Sequence, residues 1–342
     1  MFFIYFNMDS YLEISITNII KNYHILKDRY KMPIICVIKD NAYGHGLLKV
    51  GQELSKYNPL MFAVSSLQEA IMLRKNLIFT PILLLGRCDD LKTLLSFKIT
   101  PGISSLSQLK ILSSFNISIP IHLEIETGMN RLGLTIDELQ DALDIINNSR
   151  LKLKGIYTHL CSDNYQNQID IFKKALDLIQ DKKGLIIHIQ ASKYLDLNLS
   201  FVNAVRIGLS LYGYSNTLKL MPAMKYYLPV WKCKNVYKGE RVGYDELGLV
   251  EENAYLLTIP IGYSTSFSKI SLLKFLYEDN VLTQIGKSCM DMTMFISKNK
   301  IKEGTYINIL SYKNIEFLIN NFDVSIYYLL SSISSSIQRK YT

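Results

Sequence analysis

Ile34-Ile35-Cys36-Val37-Ile38-Lys39-Asp40-Asn41-Ala42-Tyr43-Gly44-His45-Gly46 sets the frame for the whole chain. Its first five residues are apolar and mostly β-branched, with no polar alternation, which predicts a strand buried on both faces. A polar, glycine-punctuated segment follows at once. Runs of the same kind recur at Phe62–Val64, Ile82–Leu85, Ile99–Ile103, Ile121–Ile125, Gly155–Thr158, Ile186–Ile189 and Ala204–Ile207. Amphipathic stretches such as Leu67–Lys75, Ile136–Asn147 and Gln168–Gln180 lie between them. Alternation of strand and helix implies a parallel sheet, and eight units in roughly 200 residues predict an α/β fold with a (β/α)8 barrel over residues 10–225. A doubly wound open sheet is the competing arrangement. After Met221-Pro222 the long helices stop. Strand-like runs at Trp231–Val236, Tyr255–Ile259, Val281–Ile285, Met292–Ile296 and Tyr306–Leu310 predict a C-terminal, mostly-β domain over residues 226–342.

Composition narrows the class. The chain has 342 residues, 49% of them apolar and 20% charged, which excludes a disordered chain. This size supports a core without disulfide or metal staples. The formal charge of +8 raises nucleic acid as a partner. The lysines are scattered, however, and no basic run is interleaved with aromatics, so a generally basic surface is the reading preferred. The five cysteines form no C-x-x-C pair, which argues against a zinc ribbon and for a reducing, cytoplasmic compartment. Phe2–Phe6 is apolar but short and meets Asp9 at once, so no signal peptide is expected. No run reaches the ~18 apolar residues of a membrane span.

Several strand ends carry chemistry. Lys39 closes the first buried strand, and in a barrel that end forms the active-site mouth. Partial desolvation there favours a free amine able to hold an aldehyde as a Schiff base; a lysine merely reaching solvent is the alternative. Arg131, within Thr127-Gly128-Met129-Asn130-Arg131-Leu132-Gly133, suits a carboxylate or phosphate, or is a surface charge. His159 ends the sixth strand. Arg206 interrupts an apolar strand, where a buried charge needs partners. Tyr263, after Pro260-Ile261-Gly262, and Cys289-Met290-Asp291 lie in the β region.

Taken together and in order, Lys39–Gly46, Thr127–Gly133, Val205–Gly213, Pro260–Tyr263 and Cys289–Asp291 resemble the motif set of alanine racemases, from about Tyr11 to Tyr341. The resemblance implies a pyridoxal-phosphate isomerase that interconverts L- and D-alanine, supplies D-alanine for peptidoglycan, and works as a cytoplasmic homodimer with shared sites, without nucleic acid, membrane or metal. By it, Lys39 carries the cofactor and acts as base on one face of the substrate, and Tyr263 of the neighbouring subunit acts on the other. Arg206 faces the pyridine nitrogen, His159 hydrogen-bonds Arg206, and Tyr43, Ser192, Gly208 and Leu209 hold the phosphate. Arg131 and the backbone of Met290 meet the substrate carboxylate.

The chain departs from that pattern at three places. Glu124 stands where many relatives carry a lysine that can be carbamylated, and it is expected to pair with Arg131. Ser264-Thr265-Ser266 replaces the usual Ala-Asp-Gly. Ile333-Ser334-Ser335-Ser336-Ile337-Gln338-Arg339 places Ser335 where some relatives have a phosphate-contacting tyrosine. That predicts room for serine beside alanine, unless Tyr341, Tyr327 or Tyr328 fills the gap. A broader-specificity or serine racemase, an amino-acid decarboxylase and a non-catalytic cofactor-binding homologue are the rival functions.

Overall fold

The computed structural model describes residues 8–342 except Leu195 and Asn198. The Phe2–Phe6 stretch lies outside the described residues. Contacts divide the chain into two units. Asn18–Ala42 and Gly46–Pro222 form one; the segment ending at Thr17, Tyr43–His45 and Ala223–Thr342 form the other.

The first unit is built on eight parallel strands, Ile34–Val37, Met61–Val64, Ile82–Leu84, Ile99–Ile103, Pro120–Glu124, Lys152–Tyr157, Ile186–His188 and Val205–Ile207. The first seven pair successively in chain order, and the first also pairs with the eighth, Ile35 opposite Arg206. Between the seventh and eighth, the Arg206 N–H donates to the Gln190 carbonyl (3.1 Å) and the Ala204 N–H to that of Ile187 (3.3 Å). Those bonds close the ring, so the barrel holds and the open sheet is excluded. Strand Ile34–Val37 is buried at every position, as an apolar run without alternation requires.

The helices start where side chains satisfy their first N–H groups. Ser66 and Thr135 build capping boxes with Glu69 and Glu138, and open helices Leu67–Lys75 and Ile136–Asn147. The third helix runs Tyr165–Asp177 instead of Gln168–Gln180. A ring contact of Tyr165 with Tyr194 (5.6 Å, edge-on) holds its first turn, a tertiary contact that sequence periodicity does not register.

The second unit carries a five-stranded antiparallel sheet ordered Lys232–Val236, Ala254–Ile259, Thr293–Ser297, Asn280–Gln284, Lys274–Tyr277. A four-stranded sheet is ordered Tyr306–Asn308, Met224–Pro229, Tyr11–Ile14, Gln338–Tyr341. Tyr11–Ile14 therefore hydrogen-bonds with the end of the chain, parallel to Gln338–Tyr341 and antiparallel to Met224–Tyr227. Helices Tyr312–Phe322 and Ile326–Ser331 add to this mostly-β unit. Among the described residues, no helix is long and apolar enough to cross a membrane, and no cluster of His, Cys, Asp or Glu suits a metal ion.

Candidate active site

The C-terminal ends of the barrel strands converge on a cavity of about 220 Å³. Lys39, Glu124, Arg131, Tyr157, His159 and Arg206 supply its functional side chains. Another cavity, about 600 Å³, opens at the start of the first strand beside Pro33 and Ile34. It is the larger, but it has none of these convergent groups and lies at the start of the strands, opposite the mouth where barrel active sites form. Three cations against one carboxylate make the smaller cavity attractive to an anion.

Arg206 is fully enclosed, yet each of its terminal nitrogens is used. One donates to His188 Nδ1 (2.7 Å) and to the His188 carbonyl; the other donates to the carbonyls of Thr158 and Ile189. Among the described residues its Nε–H has no acceptor. The guanidinium also lies over the Tyr157 ring at 5.2 Å. Burial lowers its pKa to about 10, which leaves it a cation at neutral pH.

An arginine only donates, so His188 Nδ1 accepts, and the His188 Nε2–H therefore donates to His122 Nδ1 at 2.9 Å. Both imidazoles are neutral: burial and the Arg206 charge hold His188 well below its usual value and bring His122 to about 3. Gly155 makes the room for this pair. A Cβ there would stand 2.3 Å from His122 Nδ1. Gly102 does the same for Tyr157, whose hydroxyl would be 2.5 Å from a Cβ. Gly155 on the sixth strand thus admits the His122 ring of the fifth, and Gly102 on the fourth admits the Tyr157 hydroxyl of the sixth.

Two expectations about this cluster are corrected. The imidazole that bonds Arg206 is His188, not His159, because His188 sits on the strand between and its ring nitrogen reaches the guanidinium directly. His159 lines the cavity, and burial with the nearby charges of Arg206, Arg131 and Lys39 lowers it to about 4. Glu124 is not ion-paired with Arg131. Its carboxylate is buried among strands and accepts from the Tyr157 hydroxyl at 3.2 Å, while Arg131 stays exposed on the following loop. Burial raises the Glu124 pKa, against the pull of Arg206 and Arg131.

The Arg131 loop is organised by Glu126. Its carboxylate accepts from the Gly128 N–H and the Arg131 N–H. Burial pushes Glu126 up, but backbone N–H groups of Asn130, Gly128, Arg131 and Met129 outweigh it and hold the carboxyl below its ordinary range. Buried Gln168 ties Thr127 to the His159 carbonyl, at 3.1 Å to each.

Elsewhere in the same unit, the Ser192 hydroxyl accepts from the Gly208 and Ser210 N–H groups, each at 3.3 Å. Leu209 opens the short turn that follows, Leu209–Tyr212. The Ser210 hydroxyl is buried without a partner among the described residues. Backbone N–H groups, a serine hydroxyl and an unclaimed hydroxyl at the ends of the last two strands fit a phosphate, as barrel phosphate sites do.

In the other unit, Tyr43 is buried and its ring centre is 6.0 Å from that of Tyr327. The Tyr263 and Met290 motifs form one structure. The Tyr263 N–H donates to the Cys289 carbonyl (3.2 Å), and a Cβ on Gly262 would stand 2.1 Å from the Met290 carbonyl oxygen. Ser264 bonds the Met290 carbonyl (2.8 Å) and Asp291 (2.9 Å), so the Ser-Thr-Ser departure joins these two turns. Ser335 is exposed; its carbonyl, with that of Ile337, is held by Arg339.

The residues that sequence reading missed are His122, Tyr157 and His188. Their signal was present. His122 interrupts an apolar strand and lies in register with Gly102 and Gly155, Tyr157 lies opposite Glu124, and His188 ends an apolar strand opposite Tyr157.

A barrel that gathers an amine, two guanidiniums and a neutral imidazole at its C-terminal mouth, on a chain with a separate β unit, has the build of a barrel enzyme with an anion-attracting site. Comparison with known proteins gives the family. The model of the alanine racemase N-terminal domain matches residues 14–216, and that of the C-terminal domain matches residues 223–341. The chain belongs to the alanine racemase family, whose members are isomerases. The alanine racemase of Borreliella burgdorferi strain ZS7 is 32% identical, with 96% of each chain covered. A solved alanine racemase of Clostridium difficile 630 is 28% identical, with TM-score 0.86 over 97% of this chain and 95% of that one. One from Bartonella henselae, described with covalently bound pyridoxal phosphate, shares the fold at TM-score 0.87 and 22% identity, covering 98% of this chain and 99% of its own.

Proposed function

We propose that the chain interconverts L- and D-alanine using pyridoxal 5'-phosphate. The observation that carries this reading is the Lys39 amine in one cavity with Arg131 and the enclosed Arg206. The residues fit the cofactor: an amine for its aldehyde, hydroxyl and N–H donors at Ser192, Gly208 and Ser210 for its phosphate, and a free Nε–H on Arg206 for its ring nitrogen. When bound, the group supplies a sink for the electron pair left as the α-proton departs.

The protein's part is positional and acid–base. Lys39 holds the cofactor and moves the α-proton on its face. Tyr263, contributed by the neighbouring copy of a homodimer, moves it on the other; the residue is 53% exposed in the single chain, available to a partner. Arg131 and the Met290 backbone receive the substrate carboxylate. Arg206, locked as a cation by His188 and three carbonyls, would meet the cofactor's ring nitrogen and leave it unprotonated, which would disfavour decarboxylation and transamination. His159, neutral, lines the same cavity and would pack near the cofactor. Tyr43, Ser192, Gly208 and Leu209 take the phosphate. Tyr327, whose ring meets that of Tyr43 in the same unit, is the tyrosine we assign in place of the one the resemblance expects at Ser335. We read the chain further as a cytoplasmic enzyme that supplies D-alanine for peptidoglycan.

The test is racemisation of free L-alanine by purified protein loaded with pyridoxal phosphate. D-alanine should accumulate to an equal mixture, and serine should be the poorer substrate by about 10–200-fold. No D-alanine from a protein that holds the cofactor rejects the reading. The shared site has its own check. Lys39→Ala and Tyr263→Ala chains should each be inactive alone. Mixed under conditions where subunits exchange, they should regain part of the activity, because one of the two sites then escapes both substitutions. Zero activity despite proven exchange would sink the cross-subunit role.

A further inference from the structure

Lys39 leads directly into a segment that an L-residue chain resists. Asp40, Asn41, Ala42 and Tyr43 all have φ between 51° and 54°, a left-handed turn without a glycine. Such a conformation persists only where surrounding bonds over-determine it.

Asn41 is the point where those bonds meet. Its carbonyl accepts from the Gly46 N–H (2.9 Å), and its side-chain oxygen accepts from the Leu47 N–H (2.8 Å) at the start of the helix Leu47–Ser55. Its own N–H donates to Glu69 Oε1 at 3.1 Å. The other Glu69 oxygen is fully engaged elsewhere: Oε2 accepts from the Ser65 N–H, the Ser65 hydroxyl and the Ser66 N–H. One carboxylate therefore spans the loops after the first and second barrel strands.

We propose that Glu69 is a positioning residue for Lys39: its Oε1 holds the left-handed turn that sets the direction of the Lys39 amine. Helix capping needs only Oε2, and a glutamine supplies that as well as a glutamate does. Capping alone thus leaves the second contact unexplained. The inference rests on the proposed cofactor role of Lys39, and touches neither substrate nor cofactor.

Glu69→Gln separates the two functions of the carboxylate. With three donors at the Oε2 position, the amide oxygen stays there. The NH2 then faces the Asn41 N–H, donor against donor. Ser66→Ala is the reciprocal variant: it removes the hydroxyl that caps the Glu69 N–H (3.2 Å) and leaves the Asn41 bond in place.

Hydrogen exchange on the cofactor-free chains is the first readout. Glu69→Gln should lose protection at residues 39–46 by about tenfold, the scale of one hydrogen bond, with Tm close to that of the parent. Its affinity for added pyridoxal phosphate, read from the visible band of the loaded protein, should fall by about tenfold as well. Ser66→Ala should lower Tm and leave both readouts unchanged. The inference is overturned if Glu69→Gln matches the parent in exchange and affinity. It is equally overturned if Glu69→Gln fails to fold or behaves as Ser66→Ala does, since the carboxylate is then only a cap. The underlying reading fails separately, through absence in the parent chain of a borohydride-sensitive band that Lys39→Ala removes.

Discussion

Lys39→Ala will lose covalent attachment of pyridoxal phosphate and at least about 10⁴-fold in turnover, the upper end of what a positioned acid–base group contributes. Lys39 contributes the amine of the catalytic cavity; its other cations are guanidiniums, which stay protonated and form no stable imine with an aldehyde. Lys39 lies 3.6 Å from Asp40, a loose and half-exposed pair that does not lock the amine. Among the described residues, no other group lining the cavity can replace it as cofactor anchor, and alanine at the end of a buried strand leaves the fold intact. Borohydride reduction followed by peptide mass analysis checks the anchor, and initial rates check turnover. Normal turnover by Lys39→Ala, or a reduced adduct on another lysine in the parent, defeats the assignment.

The protein will lose stability between pH 7 and pH 5 through its barrel imidazoles. His122 is held neutral at about 3, and His188 well below the ordinary 6.5, by burial and by the Arg206 charge. In the unfolded chain both protonate near 6.5. Their contribution is therefore complete above that value and declines as the pH falls below it, because the unfolded chain then binds the extra protons. Each imidazole removes about 2 kcal/mol over this range. Glu124 works the other way. Burial raises its pKa, so its contribution grows as the pH falls, and it offsets at most one proton. His159, held at about 4, adds a third proton in the same direction, so a net loss of about 3–6 kcal/mol remains. Urea midpoints at pH 7 and pH 5 measure it, and a midpoint that stays level would show that these imidazoles are charged in the fold or exposed.

The reading of Ile34–Ile38 carried over to the structure because local pattern decides it. An apolar β-branched run can only be satisfied between layers, and its repetition after each helical stretch leaves a closed parallel sheet as the economical solution. The helices Leu67–Lys75 and Ile136–Asn147 were legible for a related reason: their capping residues lie within four positions of the N–H groups they satisfy. Lys39 and Arg206 were visible as charges where apolar strands end or should continue, and the order of the motifs pointed to the family.

What only the tertiary structure decided is which of these residues meet. His122, His188 and Arg206 come from separate strands, 66 and 18 residues apart, and only barrel closure brings ring nitrogen to guanidinium. Sequence spacing made Glu124 and Arg131 look like partners, but the strand-to-loop transition between them turns one inward and leaves the other exposed, while Tyr157 on the adjacent strand takes the carboxylate. Strand Tyr11–Ile14 is too short to announce itself, and its partners lie more than 200 residues away. The left-handed turn after Lys39 carries no glycine to betray it, and Glu69, 28 residues from Asn41, is an ordinary capping glutamate until the fold brings its second oxygen to that amide. Periodicity and capping are local and leave a trace in the chain. Which polar atoms pair across a barrel depends on the register and closure of eight strands at once, and no segment of the sequence encodes that alone.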